Sequence, residues 1–167
     1  IYKIIKKKFK KQKKIKILCG PGNNGGDGFV VAKLLKENGY KNIDLFCLVT
    51  KRELKGDARV AADNFNENFK SFTDFQTSNN DVIIDGLFGS GLKKNISGNL
   101  KKIIEKINLK KPYCISIDIP SGINGDTGEI QGVALKSNDT ITFTRKKPGH
   151  LLSPGSEYCG NVIVEDI

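Results

Sequence analysis

The sequence predicts an α/β fold in which a mostly parallel sheet is covered by helices on both faces. Short apolar runs, rich in Ile, Val and Phe, alternate with longer segments whose apolar residues recur at helical spacing. With 167 residues, 38% of them hydrophobic, the chain is long enough for one domain with its own core. Ligands of parallel sheets bind beyond the carboxyl ends of the strands, so the residues that follow each strand are the candidates for a site.

The hydrophobic pattern sets the expected elements. Strands are predicted at 16–19, 43–49, 81–85, 113–118, 139–144 and 161–164. Helices are predicted from Phe29 to a stop at Asn38–Gly39, and at 53–69 and 97–108. The connection at 71–80 is polar, and a short strand at 72–75 is an option within it. The segment 146–160 is rich in Gly, Pro and Ser and is predicted to be loop.

The net charge of +10 comes from one short stretch. Nine of the 28 basic residues lie within 1–16, which has no acidic residue, and the rest nearly balance the 18 acidic residues. Such a run is typical of a solvated helix or arm, so we expect a basic lead-in at 1–14, helical or irregular, before a domain at 15–167. A polyanion-binding surface is not indicated, and no nucleic-acid partner is predicted.

Two further features of the sequence limit the class of protein to which the chain can belong. No apolar run approaches the roughly 20 residues that a membrane helix needs, so no membrane partner is predicted. The four cysteines lie in or beside apolar runs without a CxxC pair, which predicts buried, reduced thiols and a cytoplasmic location. A zinc site is not expected with a single histidine.

The first predicted strand runs into an unusual loop, CGPGNNGGDG at 19–28. A strand, a glycine-rich turn and a helix together present backbone N–H groups to an anion. The loop fits neither the dinucleotide fingerprint GxGxxG nor the P-loop pattern. A simpler interpretation makes Asp27 the helix N-cap and the glycines turn residues. That interpretation leaves the adjacent Asn23 and Asn24 unexplained, so we favour a functional loop.

Two other predicted strands end in the same way, with an aspartate followed by a glycine-rich loop. Asp85 precedes GLFGSG, and Asp118 precedes the rigid turn that contains Pro120 and Ser121. Because parallel strands end at one edge, these loops and the loop at 19–28 should enclose one pocket. Oxygen ligands there suit a hard cation, and glycine-rich backbone suits a phosphate. Taken alone, Asp85 fits a turn cap as well as it fits a functional role.

Four stretches make the chain similar to the YjeF N-terminal domain family, the NAD(P)HX (NAD(P)H-hydrate) epimerases. They are GPGNNGGDG at 20–28, DGLFGSGL at 85–92, SIDIPSGINGDTG at 116–128 and KPGHLLSPGSEYCG at 147–160. The resemblance runs from about residue 15 to the end and leaves out the lead-in. It implies a Rossmann-like, three-layer α/β/α sandwich.

The resemblance also implies an activity and partners. The activity is epimerisation of the R and S forms of hydrated NADH and NADPH (NADHX and NADPHX) during nicotinamide nucleotide repair. The implied partners are a second copy in a homodimer and an ADP/ATP-dependent NAD(P)H-hydrate dehydratase, separate or fused. Because the chain begins without Met and stops where a fused domain would continue, we expect that it was excised from a longer chain, which a fused dehydratase domain would make bifunctional.

The residue roles are carried over from the same resemblance. Asp118 would be the acid/base, and potassium would be bound by Asn24, Asp85 and Ser121. The implied substrate-binding residues are Asn23, Asn24, Gly25, Gly26, Asp27, Gly89, Ser90, Gly91, Leu92, Lys93, Lys94, Asn95 and Asp118. Where the family often has an arginine near the end of the second loop, this chain has lysines and an asparagine. Loss of a bidentate fork predicts weaker phosphate binding.

Two competing interpretations remain from the sequence. One is a non-catalytic nucleotide-ligand-binding or scaffold domain of the same fold, which degraded loops would favour. The other is a kinase or transferase, which would need a cationic phosphate-transfer site. The loops retain Asn24, Asp85, Asp118 and Ser121, and no P-loop lysine is present, so the epimerase is favoured. His150, in a Pro-Gly loop, is interpreted as structural.

Overall fold

Residues 1–166, which the computed structural model describes, contain a six-stranded sheet with the order β2-β1-β3-β4-β5-β6. All neighbouring strands are parallel. The strands are β1 (Ile15–Cys19), β2 (Ile43–Cys47), β3 (Val82–Gly86), β4 (Tyr113–Ile117), β5 (Asp139–Phe143) and β6 (Asn161–Glu165). The predicted strands and the parallel sheet are thus confirmed, with small shifts at the strand ends.

Helices lie on both faces of the sheet and confirm the three-layer sandwich. They are α1 (Tyr2–Lys8), α2 (Asn23–Glu37), α3 (Gly56–Phe65) and α4 (Gly98–Lys110). Alternate strand residues point to opposite faces, as the pleat requires. Ile17 and Ile84 belong to the core under α2 and α3, whereas Leu18 and Ile83 belong to the core under α4. Both faces of β1 and β3 are therefore fully buried.

The order of the strands places two glycine-rich loops side by side. The chain moves outward from β1 to β2 and then crosses back, so that β3 lies on the other side of β1. Cys19 at the end of β1 is in register with Gly86 at the end of β3. The loops that leave these two strands therefore flank the point where the connections diverge, which is where open parallel sheets bind ligands.

The start of α2 differs from the prediction. The helix begins at Asn23 with Gly22 as its N-cap, so Asp27 lies inside the helix and the N-cap interpretation of Asp27 is wrong. The glycines allow the helix to approach the loop after β1. A Cβ atom at Gly25 would lie 1.9 Å from the carbonyl oxygen of Gly20. Close packing therefore requires glycine at this position, although glycine has a low helix propensity.

Two elements of the middle segment also differ. The helix predicted at 53–69 is shorter, because it begins at Gly56 and ends at Phe65, with Asn66 as a C-cap whose φ of 53° is left-handed. The short strand considered at 72–75 is a single 3₁₀ turn, Phe72–Asp74. Phe72 and Phe75 pack on Phe46 of β2, so buried aromatic contacts rather than a strand pattern explain the apolar residues.

The basic lead-in is partly helical and packs on the domain. Ile5 of α1 is fully buried, and Lys8 contacts Tyr113 and Asp139, with Nζ 2.9 Å from Asp139 Oδ2. All four cysteines are buried free thiols, as predicted. Within residues 1–166, no helix combines the length and the apolar character needed to cross a bilayer.

Candidate active site

A cavity of about 890 Å³ opens beyond the carboxyl ends of β1, β3 and β4. It is bordered by the start of α2, by the loop after β3 and by Asp118. The predicted substrate-binding residues that line it are Asn23, Asn24, Asp27, Gly89, Ser90, Gly91, Leu92, Lys93, Lys94, Asn95 and Asp118. Part of the wall is apolar and is formed by Leu87, Phe88 and Phe143. Sequence fragments far apart in the chain therefore meet at one site.

Gly25 and Gly26 do not line this cavity. Both are buried inside the first turns of α2. Gly25 packs on the backbone of Gly20, and a Cβ atom at Gly26 would lie 3.1 Å from Cα of Ala58 in α3. These two glycines therefore allow the helix to pack closely and do not contact a ligand in the cavity.

The N-terminal end of α2 faces the cavity without an internal cap. Gly22 makes no side-chain cap hydrogen bond, and the first turn contains no acidic residue. Pro21, Gly22, Asn23 and Asn24 all border the cavity. The first N–H groups of a 15-residue helix and its positive dipole end are thus available to an anionic ligand. Burial, together with the charge of Asp118, raises the pKa of Asp27.

Asp118 stands in the residue position directly after β4 and has a φ of 67°, in the left-handed region. Its N–H donates to the carbonyl of Ile141 at 2.7 Å. Its carboxylate accepts from Thr142 Oγ1 at 3.2 Å and from the Ser90 N–H at 3.3 Å, and it also contacts Lys147 Nζ. The left-handed conformation is uncommon outside glycine and is found preferentially at functional sites when several contacts maintain it.

Asp85 has a different environment. It is fully buried and does not line the cavity. Its carboxylate accepts from Ser121 Oγ at 2.6 Å, the Ser121 N–H at 2.8 Å, Ser116 Oγ at 2.9 Å and the Leu87 N–H at 3.2 Å. Burial raises the pKa of Asp85, although these hydrogen bonds act in the opposite direction. Asp85 thereby fastens the loop after β3 to the turn after β4.

Gly89 shows how closely the predicted side chains approach one another. A Cβ atom there would lie 3.2 Å from Asp118 Oδ2 and 3.4 Å from Asn24 Oδ1. The residue after Asp85 is also a glycine, Gly86, and a Cβ atom on it would lie 2.9 Å from the carbonyl oxygen of Asn24. The three strand ends therefore converge, and a side chain at either glycine would crowd the groups that meet there.

Comparison with known proteins identifies the family. The chain matches the family described as YjeF-related protein N-terminus over residues 1–149, a match that includes the lead-in. The chain belongs to this family. It is 39% identical to an NAD(P)H-hydrate epimerase of Lentilactobacillus buchneri, over 90% of this chain and 71% of that protein.

Longer relatives and a solved structure extend the comparison. The chain is 39% identical to the bifunctional NAD(P)H-hydrate repair enzyme Nnr of Dictyoglomus turgidum, over 98% of this chain and 33% of that protein. It thus spans about a third of the length of such bifunctional relatives. The crystal structure of yeast ynu0 has the same fold, with a TM-score of 0.73 at 24% identity, over 93% of this chain and 66% of that one.

Within this YjeF-related domain, sequence reasoning missed Lys147 and Thr142. Lys147 lines the cavity and donates to Thr142 Oγ1 at 2.9 Å as well as to Asp118. Lys147 lies in a Gly- and Pro-rich loop without periodicity, so no local pattern linked it to Asp118. The KPGH stretch that contains it belongs to the segments that carry the resemblance, which assigns no role to Lys147.

His150 has the structural position that the sequence suggested. It is buried, its Nε2 is 2.8 Å from the carbonyl oxygen of Asp118, and its Nδ1 accepts the N–H of Lys147 at 2.9 Å. These two bonds require the neutral imidazole with the proton on Nε2. Burial lowers the pKa of His150, which favours that neutral form.

Proposed function

We propose that this chain interconverts the R and S epimers of NADHX and NADPHX in nicotinamide nucleotide repair. The observation that carries the proposal is Asp118, an aspartate in left-handed conformation that borders a cavity beside the uncapped start of α2. The 39% identity to a protein named NAD(P)H-hydrate epimerase supports the same activity. The cavity combines a carboxylate for proton transfer with backbone donors for phosphate.

The substrate phosphates would bind at the glycine-rich side of the cavity. The first N–H groups of α2 face it, and the loop from Gly89 to Asn95 borders it. Lys93 and Lys94 lie in that wall and add positive charge. Amide groups and ammonium groups together bind phosphate without a bidentate arginine.

Asp118 would act as the acid/base at the hydroxylated carbon of the nicotinamide ring. That carbon bears both oxygen and nitrogen, so its configuration is lost by reversible loss of the hydroxyl or by ring opening. Each route moves a proton onto or off the substrate, and a carboxylate within hydrogen-bonding distance accelerates that transfer. The apolar residues Leu87, Phe88 and Phe143 would cover the ring.

Potassium binding by Asn24, Asp85 and Ser121 belongs to the same proposal. Within the part of the chain that the structure describes, Asp85 is a buried carboxylate whose four donors are all neutral. In residues 1–166, Asn24 Nδ2 is also a buried polar atom without a hydrogen-bond partner, and turning the amide would place its carbonyl oxygen there. Such oxygen donors fit a hard monovalent cation, which would offset the buried charge of Asp85.

Ser121 explains how a cation could be accommodated. Its hydroxyl donates to Asp85 Oδ1, but the carbonyl oxygen of Phe88 is an alternative acceptor at 3.2 Å. Reorientation of this hydroxyl would leave Asp85 Oδ1 with the Leu87 N–H as its one donor among the described residues and would keep the hydroxyl paired. No cluster of three or more His, Cys, Asp or Glu side chains that could hold a metal occurs in residues 1–166, so the proposed set depends on amide and hydroxyl oxygens.

The partners and location are proposed with the activity. Val30 and Leu34 of α2 and Val164 of β6 are exposed apolar side chains, 47%, 40% and 41% accessible, which supports a homodimer. The relatives named bifunctional support a fused or separate dehydratase that acts on the S epimer. Four reduced, buried thiols support a cytoplasmic location.

A coupled assay tests the proposal. The protein is mixed with purified R-NADHX and a dehydratase that accepts only the S form, and the recovery of NADH absorbance is followed. We expect conversion by the unmodified protein and by Asp126→Asn, which alters an exposed aspartate outside the cavity. Tight binding of NADHX without conversion would contradict the epimerase and identify a non-catalytic binding domain.

A further inference from the structure

Lys147 is a charged residue of the cavity wall to which the proposed function gives no role. It precedes the 3₁₀ turn Pro148–His150, in the loop after β5. Its Nζ donates to Asp118 Oδ1 and, at 2.9 Å, to Thr142 Oγ1. Lys147 and Asp118 both line the cavity, so a bound ligand would contact both members of the pair.

The stability of the fold does not account for this ion pair. The side chains of Lys147 and Asp118 are 26% and 14% exposed, so both are largely removed from water. At such sites the cost of desolvation offsets much of the attraction between the charges, and the net contribution to folding is small. Both charges also lie in the wall of the cavity, where a ligand can reach them.

One imidazole holds the backbones of both members of the pair. The Nε2–H of His150 donates to the carbonyl of Asp118 at 2.8 Å, and its Nδ1 accepts the N–H of Lys147 at 2.9 Å. The main chain of the loop after β5 is therefore tied to the turn after β4. His150 acts as a positioning residue, because it fixes the spacing between Asp118 and Lys147 without lining the cavity.

We propose that Lys147 is a second catalytic residue of the epimerisation, the proton donor that works with the Asp118 carboxylate as base. This inference rests on the proposed function. An acid and a base that share one wall of the cavity can exchange protons with neighbouring atoms of one substrate. The ion pair supplies both in their reactive forms, an ammonium and a carboxylate.

Both routes to epimerisation use such a pair. In ring opening, Asp118 takes the hydroxyl proton, the C–O bond becomes C=O, and the C–N bond breaks with its electrons on nitrogen. That nitrogen takes a proton from Lys147 Nζ, and both protons return when the ring closes on the other face. In hydroxyl loss, Lys147 protonates the departing oxygen and the nitrogen lone pair forms C=N. Water then adds to the opposite face of the ring and gives its proton to Asp118, which passes that proton to the Lys147 amine through their hydrogen bond.

The test compares three lysine variants in the coupled assay. Lys147→Ala should lower kcat by about 10² to 10⁴-fold while KM changes by no more than about threefold. Methylamine added to Lys147→Ala should restore part of kcat, because it supplies the missing ammonium. Lys147→Arg should stay slow, because a guanidinium keeps the charge but does not release its proton. Lys146→Ala, which removes an exposed charge next to this position, should retain full activity.

The outcomes separate this inference from the function on which it rests. Absence of conversion by the unmodified protein would overturn the proposed function and the inference with it. Conversion by Lys147→Ala at the unmodified rate would overturn the inference alone. Proton donation would also be overturned if Lys147→Ala raised KM without lowering kcat. The same holds if Lys147→Arg had the unmodified rate while methylamine failed to restore the rate of Lys147→Ala. Either result would mean that Lys147 only binds the substrate through its charge. Thermal unfolding of each variant shows that the compared proteins are folded.

Discussion

Asp85 and Asp118 begin from nearly the same sequence pattern and have different environments in the fold. Asp85 is the last residue but one of the buried strand β3, Asp118 directly follows the buried strand β4, and each precedes a glycine-rich loop. Asp85 is fully buried and surrounded by hydroxyl and amide donors, whereas Asp118 borders the cavity and pairs with Lys147. The position at the strand end brings a carboxylate to the site, but the neighbouring side chains decide whether it organises loops or contacts a ligand.

The largest expected effect comes from removing the charge of Asp118. Asp118→Asn should lower the rate of epimerisation by about 10² to 10⁴-fold, because a carboxamide cannot exchange a proton with the substrate. Asparagine tolerates the left-handed φ of 67° better than alanine does, so the fold should be retained. The coupled assay gives the rate, and thermal unfolding gives the stability. Unchanged conversion would remove Asp118 from the mechanism.

Asp85 should show the opposite behaviour, with stability as the main effect. Asp85→Ala should lower the free energy of unfolding by about 2–4 kcal/mol, because it leaves buried donors of Ser121, Ser116 and Leu87 without their acceptor. Urea unfolding measures this loss, and Asp126→Ala serves as the exposed control. A loss below about 0.5 kcal/mol, the range of ordinary surface substitutions, would mean that the buried network does not join the two loops.

The comparison also separates what the sequence could predict from what it could not. The strand pattern is local, so the sheet and the convergence of Asn24, Asp85 and Asp118 at its carboxyl edge were predictable. The first turns of α2 were missed because Gly25 and its neighbours have low helix propensity, and only close packing on Gly20 explains them. Lys147 was missed because its contact with Asp118 is set by the folded loop rather than by any periodic pattern.

His150 should make the stability of the turn at Asp118 depend on pH near neutrality. Burial lowers the pKa of His150 in the folded protein, so the unfolded chain takes up the proton first as the pH falls through about 6.5. Stability should therefore fall below that pH, by up to about 1.4 kcal/mol per pH unit for this one proton. The unmodified protein should have a higher free energy of unfolding than His150→Gln, and this difference should be largest near pH 7.5 and become smaller towards pH 5.

The sequence contains one histidine, which makes this measurement specific. A difference between the unmodified protein and His150→Gln that stays constant from pH 7.5 to pH 5 would contradict a neutral imidazole between Lys147 and Asp118. The contribution of His150, measured as the difference from His150→Gln, should depend on pH in the same way in an Asp85→Ala background, because Asp85 makes its hydrogen bonds with other residues.

The smallest expected effect concerns potassium and would sharpen the contrast between the two carboxylates. If Asp85, Ser121 and Asn24 bind K⁺, a concentration equal to the Kd should stabilise the folded state by about 0.4 kcal/mol. In a protein of this size that corresponds to a rise in Tm of about 1–2 °C. Titration with KCl, with choline chloride at equal ionic strength as the control, measures the rise. The rise should disappear in Asp85→Asn and persist in Asp118→Asn, because the cation offsets the charge of the buried carboxylate. An equal response of both variants would place the ion effect elsewhere and leave Asp85 as a purely hydrogen-bonding residue.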